Sequence, residues 1–291
     1  MLKIATIGFF DGVHKGHQYL FEHLRAEADK RGMEPLIVTF DRHPRAALQT
    51  DYIPRLLSSV EERKKQLQAY GEVVMLPFEA IQPLTAAEFM QRLKDEYQVS
   101  ALLMGYDHRF GSDRLKHPQD YRRIGEQTGI EVINLGEFIE GEWHVSSTEI
   151  RMALENGNIA VANELLGHPY TLRGKVVHGN GIGRTIGFPT ANIAPLDPYK
   201  IIPRAGVYTA LVHTPLMDDS PALVNIGTNP TVGNTKQTIE VFIPSFKGDL
   251  YDQVLKIRFT QYVREEKRFD SLDELRAQIK ADVDSILRPG A

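Results

Sequence analysis

Five short apolar runs punctuate the first half of the chain, and helical spacing fills the stretches between them. "KIATIGFF" (3–10) is β-branched and apolar; "PLIVTF" (35–40), "EVVMLPF" (72–78), "SALLMGYD" (100–107) and "GIEVINL" (129–135) follow. After the first run, "HQYLFEHLRAEADKRG" repeats apolar residues at Tyr19, Leu20, Leu24 and Ala28 and ends at Gly32, the signature of an amphipathic helix and its stop. "TAAEFMQRLKDEY" (85–97) predicts another helix. Strands that alternate with helices imply βαβ crossovers, so this half is expected to form a parallel sheet covered on both faces.

The texture changes after residue 166. "YTLRGKVVHG", "GVYTALVHT", "PALVNIG", "TIEVFIP" and "VLKIRFTQYV" are short extended runs set apart by Gly, Pro and Asn, which predicts an antiparallel all-β unit closed into a barrel. "SLDELRAQIKADVDSIL" (271–287) predicts a terminal helix, with Ser271 and Glu274 spaced as a capping box. A chain of 291 residues has room for two domains. The boundary is expected in "LLGHPYTL" (165–172), giving units 1–166 and 167–291.

Composition narrows the chemistry. With no cysteine, disulfides, thiolate metal sites and cysteine nucleophiles are excluded. A formal net charge of −4 argues against a nucleic-acid partner. No apolar run approaches the ~18 residues of a membrane helix, and the N-terminus carries no signal-peptide pattern. The expectation is a cytoplasmic protein with small-molecule partners, no nucleic acid and no membrane; its oligomeric state is not legible.

Two constellations carry chemistry. In "GFFDGVHKGH" (8–17), Gly8, Gly12 and Gly16 permit a tight turn and close ligand approach. The helix that follows aims its free N–H groups at the same place, an anion site. With a helix start near Gly16, His14 and His17 project there together and can stabilise charge on a phosphate chain. A polar surface turn fits the same residues; a metal pair lacks an obvious third ligand. In "GKVVHGNGIGRTIGFPTANI" (174–193) five glycines, including Gly179, Gly181 and Gly183, mark either a phosphate-cradling loop or a flexible hairpin. Thr190 and Asn192, two apart on an extended segment, face one side and offer oxygens suited to Mg²⁺.

These residues resemble a family. "GFFDGVHKGH" matches the Gly-x-Phe-Asp-Gly-x-His-x-Gly-His form of the nucleotidyltransferase signature found in bacterial FAD synthetases, the bifunctional riboflavin kinase/FMN adenylyltransferases. "TFDRHP" (39–44), "GYDHRFG" (105–111) and "VSSTEIR" (145–151) resemble further motifs of that family in the same order, with Arg42, His108 and Val145 as departures. The resemblance implies a Rossmann-like α/β nucleotidyltransferase domain, with ATP bound by Gly8, Phe9, Asp11, His14, His17, Asp107, Arg109, Ser146, Thr148 and Arg151, and catalysis by His14 and His17. It places His43 on the flavin.

"GFPTAN" (187–192) resembles the riboflavin kinase signature, and "GVYTA", "NIGTNPTVG" and "IEVFI" resemble the rest of that domain. The resemblance implies a riboflavin kinase-like barrel with a terminal helix, in which Gly179, Gly181, Gly183, Thr190 and Asn192 bind ATP and Thr190 and Asn192 hold Mg²⁺. Glu240 would be the catalytic base, although its alternation with Ile239 and Val241 also fits a solvent-facing position. "REEKRF" (264–269) resembles a family segment in which Arg264 would face flavin or phosphate, and Asp252 replaces a usual glycine. The implied activity is phosphorylation of riboflavin to FMN, then adenylylation of FMN to FAD with release of pyrophosphate, both from ATP. A different adenylyltransferase, or a flavin-binding regulator with one inactive site, are the rivals.

Overall fold

The five apolar runs become five parallel strands, β1 (Lys3–Ile7), β2 (Glu34–Phe40), β3 (Glu72–Leu76), β4 (Val99–Met104) and β5 (Glu131–Asn134). The computed structural model describes residues 1–49, 51–106, 108–136, 138–140, 143–179, 182–231, 234–267 and 269–287. Asp107, Gly181 and Arg268 lie outside the described residues. The strand order is β3-β2-β1-β4-β5, so the winding reverses at β1. The crevice beyond the C-terminal end of such a strand is where doubly wound sheets bind ligands.

Helices cover both faces: α1 (Lys15–Arg31), α2 (Pro44–Leu48), α3 (Val60–Leu67), α4 (Phe78–Ile81), α5 (Ala86–Tyr97) and α6 (Pro118–Thr128). Alternate residues of the strands feed separate cores. Ile4, Ile37 and Leu103 pack with Phe21 and Leu24 of α1; Ala5, Val38 and Leu102 pack with Phe89 and Leu93 of α5. Helix ends follow the sequence. Gly32 closes α1 with a left-handed φ of 63° and donates its N–H to Ala28 and Asp29 carbonyls. Ser59 with Glu62, and Thr85 with Glu88, form reciprocal capping boxes on α3 and α5.

A two-strand pair, β6 (Ile139–Glu140) and β7 (Trp143–His144), precedes α7 (Ser147–Glu155) and α8 (Ile159–Leu166). Then come β8 (Thr171–Val177), α9 (Ile182–Thr185), β9 (Ala191–Pro195), β10 (Gly206–Thr214), β11 (Met217–Thr231), β12 (Asn234–Phe242), β13 (Val254–Arg264) and α10 (Leu272–Leu287). The six strands β8 to β13 close into an antiparallel barrel in the order β10-β11-β12-β9-β8-β13. Val224, Ile239, Ile193 and Ile257 are among the residues that fill its core. At the start of α10, Ser271 Oγ accepts from Glu274 N–H at 3.2 Å, while the Glu274 carboxylate turns to Asp270 N–H rather than to Ser271.

The chain divides into two compact units, Met1–Ser147 and Thr148–Ala291, a division after the first residue of α7 and earlier than the expected one at 166/167. The two helices before residue 167 are held by barrel residues. Asn163 on α8 donates its amide to Phe259 O at 2.9 Å and accepts from Tyr170 N–H at 2.7 Å. Arg204 N–H reaches Leu154 O at 3.0 Å.

Candidate active sites

The first site begins where β1 ends. Gly8 N–H still bonds to Val38 O at 3.0 Å; the backbone then turns through left-handed conformations at Phe10, Gly12 and Val13 (φ 55°, 77° and 45°). A β-branched residue such as Val13 adopts this region only under constraint, and the constraint is Asp11. Its buried carboxylate accepts from Leu57 N–H and Ser58 N–H, each at 3.0 Å, and from Ser58 Oγ at 3.2 Å. Ser58 Oγ in turn accepts from Gly12 N–H at 2.9 Å, and Ser147 Oγ donates to Asp11 O at 3.2 Å. Asp11, expected at the nucleotide, therefore pins the turn that presents the histidines.

His14 occupies the N-cap position of α1. Its ring stacks on His17, with centroids 3.6 Å apart and planes 19° from parallel, and Phe10 meets His17 edge-on at 5.2 Å. A side chain on Gly16 would come within 3.3 Å of the His14 ring and of Val145 O, so only glycine leaves this pair undisturbed. Burial, then His14, then His108 hold the His17 imidazole well below its ordinary pKa. Both rings thus sit at the positive end of a helix, with His17 uncharged at neutral pH.

Phe9 and His43 touch edge to face at 4.8 Å. His43 caps α2 through Nδ1, which accepts from Arg45 N–H at 3.1 Å. Within the first unit the structure thus brings together Gly8, Phe9, Asp11, His14, His17 and His43. Arg109 is exposed, on a loop tied at Phe110 by hydrogen bonds to and from the Tyr121 hydroxyl. Ser146 immediately precedes α7; Thr148 and Arg151 lie on that helix and belong to the second unit.

The second site lies where β9, β12 and β11 run side by side. Asn192 is directly opposite Glu240, and Glu240 opposite Asn225, so the three side chains share one face of the ladder. The inward residues on either side, Ile239 and Val241, are buried. Thr190 Oγ1 donates to Glu240 Oε2 at 2.9 Å. Gly179 lies so close that a Cβ there would fall 2.1 Å from Asn192 Nδ2, and one on Gly183 would fall 2.3 Å from Phe188 O and 3.3 Å from Thr190 Oγ1. The glycine-rich segment therefore packs its backbone directly on the Thr-Asn pair.

Arg264, expected at flavin or phosphate, is paired with the C-terminal helix. Its Nε and Nη2 donate to the Asp282 carboxylate on α10 at 3.1 and 2.7 Å, and Nη1 donates to Glu265 O at 3.0 Å. Four contributors have no place in the expected set: Ser58, Asp282, His108 as a neighbour of His17, and the buried Arg63. Apart from His108 in "GYDHRFG", none belongs to a local motif; Arg63 in "VEERKK" is indistinguishable by sequence from Lys64 and Lys65, which are exposed.

Comparison with known proteins also finds two parts, with residues 150–165 in neither. The FAD synthetase family pattern matches residues 2–149, and the riboflavin kinase pattern matches residues 166–288. A bifunctional riboflavin kinase/FMN adenylyltransferase of Escherichia coli (strain K12) is 38% identical over 283 residues, covering 96% of this chain and 90% of its own. The chain belongs to the bifunctional riboflavin kinase/FMN adenylyltransferase family. Its Pseudomonas fluorescens relative is 37% identical over 286 residues, with the same coverage of both chains. A solved structure described as a macrolide-efflux protein from Streptococcus pneumoniae shares 34% identity with a TM-score of 0.90, over 98% of this chain and 93% of that one. No helix among the described residues is long and apolar enough to cross a membrane.

Proposed function

We propose that the two activities are carried by the two constellations just described, one in each unit. In the barrel, Glu240 takes the proton of the riboflavin ribityl hydroxyl as that oxygen attacks the γ-phosphorus of ATP, giving FMN and ADP. Thr190 fixes the carboxylate by its hydrogen bond to Oε2, and the backbone around Gly179 and Gly183 receives the phosphates. Thr190 Oγ1 and the Asn192 amide are uncharged oxygen donors beside a carboxylate, a set that fits Mg²⁺. When bound, Mg²⁺ neutralises charge on the ATP phosphates.

On the parallel sheet, the FMN phosphate attacks the α-phosphorus of a second ATP, and pyrophosphate leaves. This nucleophile is already ionised near neutral pH, so no base is needed. His14, His17 and the N-terminus of α1 stabilise the charge that accumulates on the phosphate chain. His43, in contact with Phe9, receives the flavin side. Arg264, paired with Asp282, keeps α10 against the barrel. The dependence of both steps on ATP supports a cytoplasmic setting.

One observation carries this reading: the Thr190–Glu240 hydrogen bond on the barrel face that Asn192 shares. It supports the reading because deprotonation of a neutral alcohol calls for an oriented carboxylate. The test is a chromatographic time course with riboflavin, ATP and Mg²⁺. FMN appears first and FAD second. Glu240→Gln stops FMN formation but still converts added FMN to FAD; His17→Ala does the reverse. Loss of both steps from either folded variant would refute independent sites.

A further inference from the structure

The largest fully buried side chain among the described residues is not apolar. It is Arg63, on α3, with no solvent exposure. Removing a guanidinium from water is unfavourable unless its environment replaces that hydration. Two of its contacts define where it acts: Nη2 donates to Phe40 O at 2.6 Å, and the guanidinium carbon lies 4.0 Å from the centre of the Phe9 ring. Phe40 ends β2, three residues before His43. Phe9 follows Gly8 in the turn after β1 and carries the His43 ring on its edge. α3 is anchored to the same turn, because Ser58, just before its Ser59 cap, binds the Asp11 carboxylate. One cation thus grips both chain segments that meet at Phe9 and His43.

We propose that Arg63 is a positioning residue for FMN adenylylation. It fixes the Phe9 ring by stacking and the end of β2 by hydrogen bonding, and thereby sets the Phe9–His43 wall that receives FMN. The proposal rests on the flavin-side assignment of His43. It acts on the FMN side rather than the phosphate side because its contacts with Phe9 and Phe40 lead to His43. The site calls for arginine specifically. A planar guanidinium can stack on an aromatic face while its edge donates to a carbonyl, whereas a lysine ammonium is a point charge that cannot do both.

Full-length Arg63→Lys, Arg63→Met and Phe9→Leu chains test this, with FMN adenylylation measured for KM of FMN, KM of ATP and kcat. Riboflavin phosphorylation by the same preparations is the internal control for a folded chain. Each variant is expected to raise the KM for FMN about tenfold, the order of a desolvated cation–aromatic contact. The KM for ATP stays unchanged in the two Arg63 variants, and the kinase rate in all three. Combining Arg63→Lys with Phe9→Leu should give less than the product of the two single effects, since both remove the Arg63–Phe9 contact.

Three results would overturn the proposal: an unchanged KM for FMN in Phe9→Leu, equal rises for FMN and ATP in the Arg63 variants, or a double variant equal to the full product of the two single effects. His43→Ala separates it from the assignment beneath it. If His43→Ala raises the KM for FMN and Arg63→Lys does not, Arg63 is merely structural. If Arg63→Lys raises it and His43→Ala does not, Arg63 stands and the flavin contact lies elsewhere on Phe9.

Discussion

Acid should destabilise the first unit through His17, with a size and sign that follow from its surroundings. Burial, then the stacked His14 and the charge of His108, depress the His17 pKa well below the ordinary value of 6.5. The unfolded chain therefore takes up a proton near that value while the folded chain does not, so stability is held above it and lost as the pH falls through it. For this one proton the loss between about pH 7.5 and about pH 5.5 is roughly 1.4 kcal/mol. Urea unfolding followed by amide hydrogen exchange in β1 and α1 reads the correct half. A two-unit chain need not unfold in one step, which makes a local probe necessary. His17→Gln keeps a polar side chain and cannot take the proton. Its stability should fall less with acid by about that same 1.4 kcal/mol. Parallel pH dependences in the two proteins would mean that His17 is not held neutral, and the account of the stacked pair would be wrong.

Thr190→Val keeps the shape but removes the donor to Glu240, and loss of one charge-assisted hydrogen bond should lower kcat/KM for riboflavin about tenfold. FMN adenylylation should be untouched in the same assay. Gly179→Ala places a methyl group on the Asn192 amide; a displacement there should cut riboflavin phosphorylation roughly 10- to 100-fold, again without loss of adenylylation. Asp282→Ala leaves Arg264 without its carboxylate partner at a site where the two side chains are 16% and 6% exposed. The barrel should lose about 2 kcal/mol, seen in thermal unfolding, with earlier proteolysis at α10.

Features that depend on neighbours in sequence were legible, and features that depend on distant partners were not. The apolar runs give β1 to β5 because a strand covered on both faces is apolar throughout, and α1 ends at Gly32 because a left-handed stop suits glycine. Asp252 was legible as a departure at a turn. It adopts φ 63°, a conformation that aspartate tolerates better than most residues, and is paired with Lys175 at 2.7 Å. Asp11 stands in the nucleotide motif, yet its carboxylate is bound to Leu57 and Ser58, 46 and 47 residues away. Arg264 was read from the segment around it, whereas its partner Asp282 comes from the next helix. The affiliation of α7 and α8 with the barrel rests on backbone carbonyls and amides of Leu154, Tyr170, Arg204 and Phe259, which leave no trace in side-chain pattern.

The contrast between the two sites follows from the state of the attacking oxygen. A phosphate arrives ionised, so a carboxylate beside it would repel the nucleophile and add to the negative charge of the transition state. At the end of β1 the one motif carboxylate, Asp11, is turned into the fold and engaged with backbone N–H groups, while the groups stacked at the helix N-terminus are imidazoles. An alcohol arrives protonated and needs an acceptor, and on the barrel face the carboxylate of Glu240 is held outward by Thr190 instead of being consumed by the backbone. On the proposed assignment, exchanging the two environments would disable both reactions: an inward Glu240 would have no proton to take, and an outward Asp11 would oppose the phosphate it should admit. On that assignment the burial of one carboxylate and the presentation of the other belong to the chemistry as much as the histidines do.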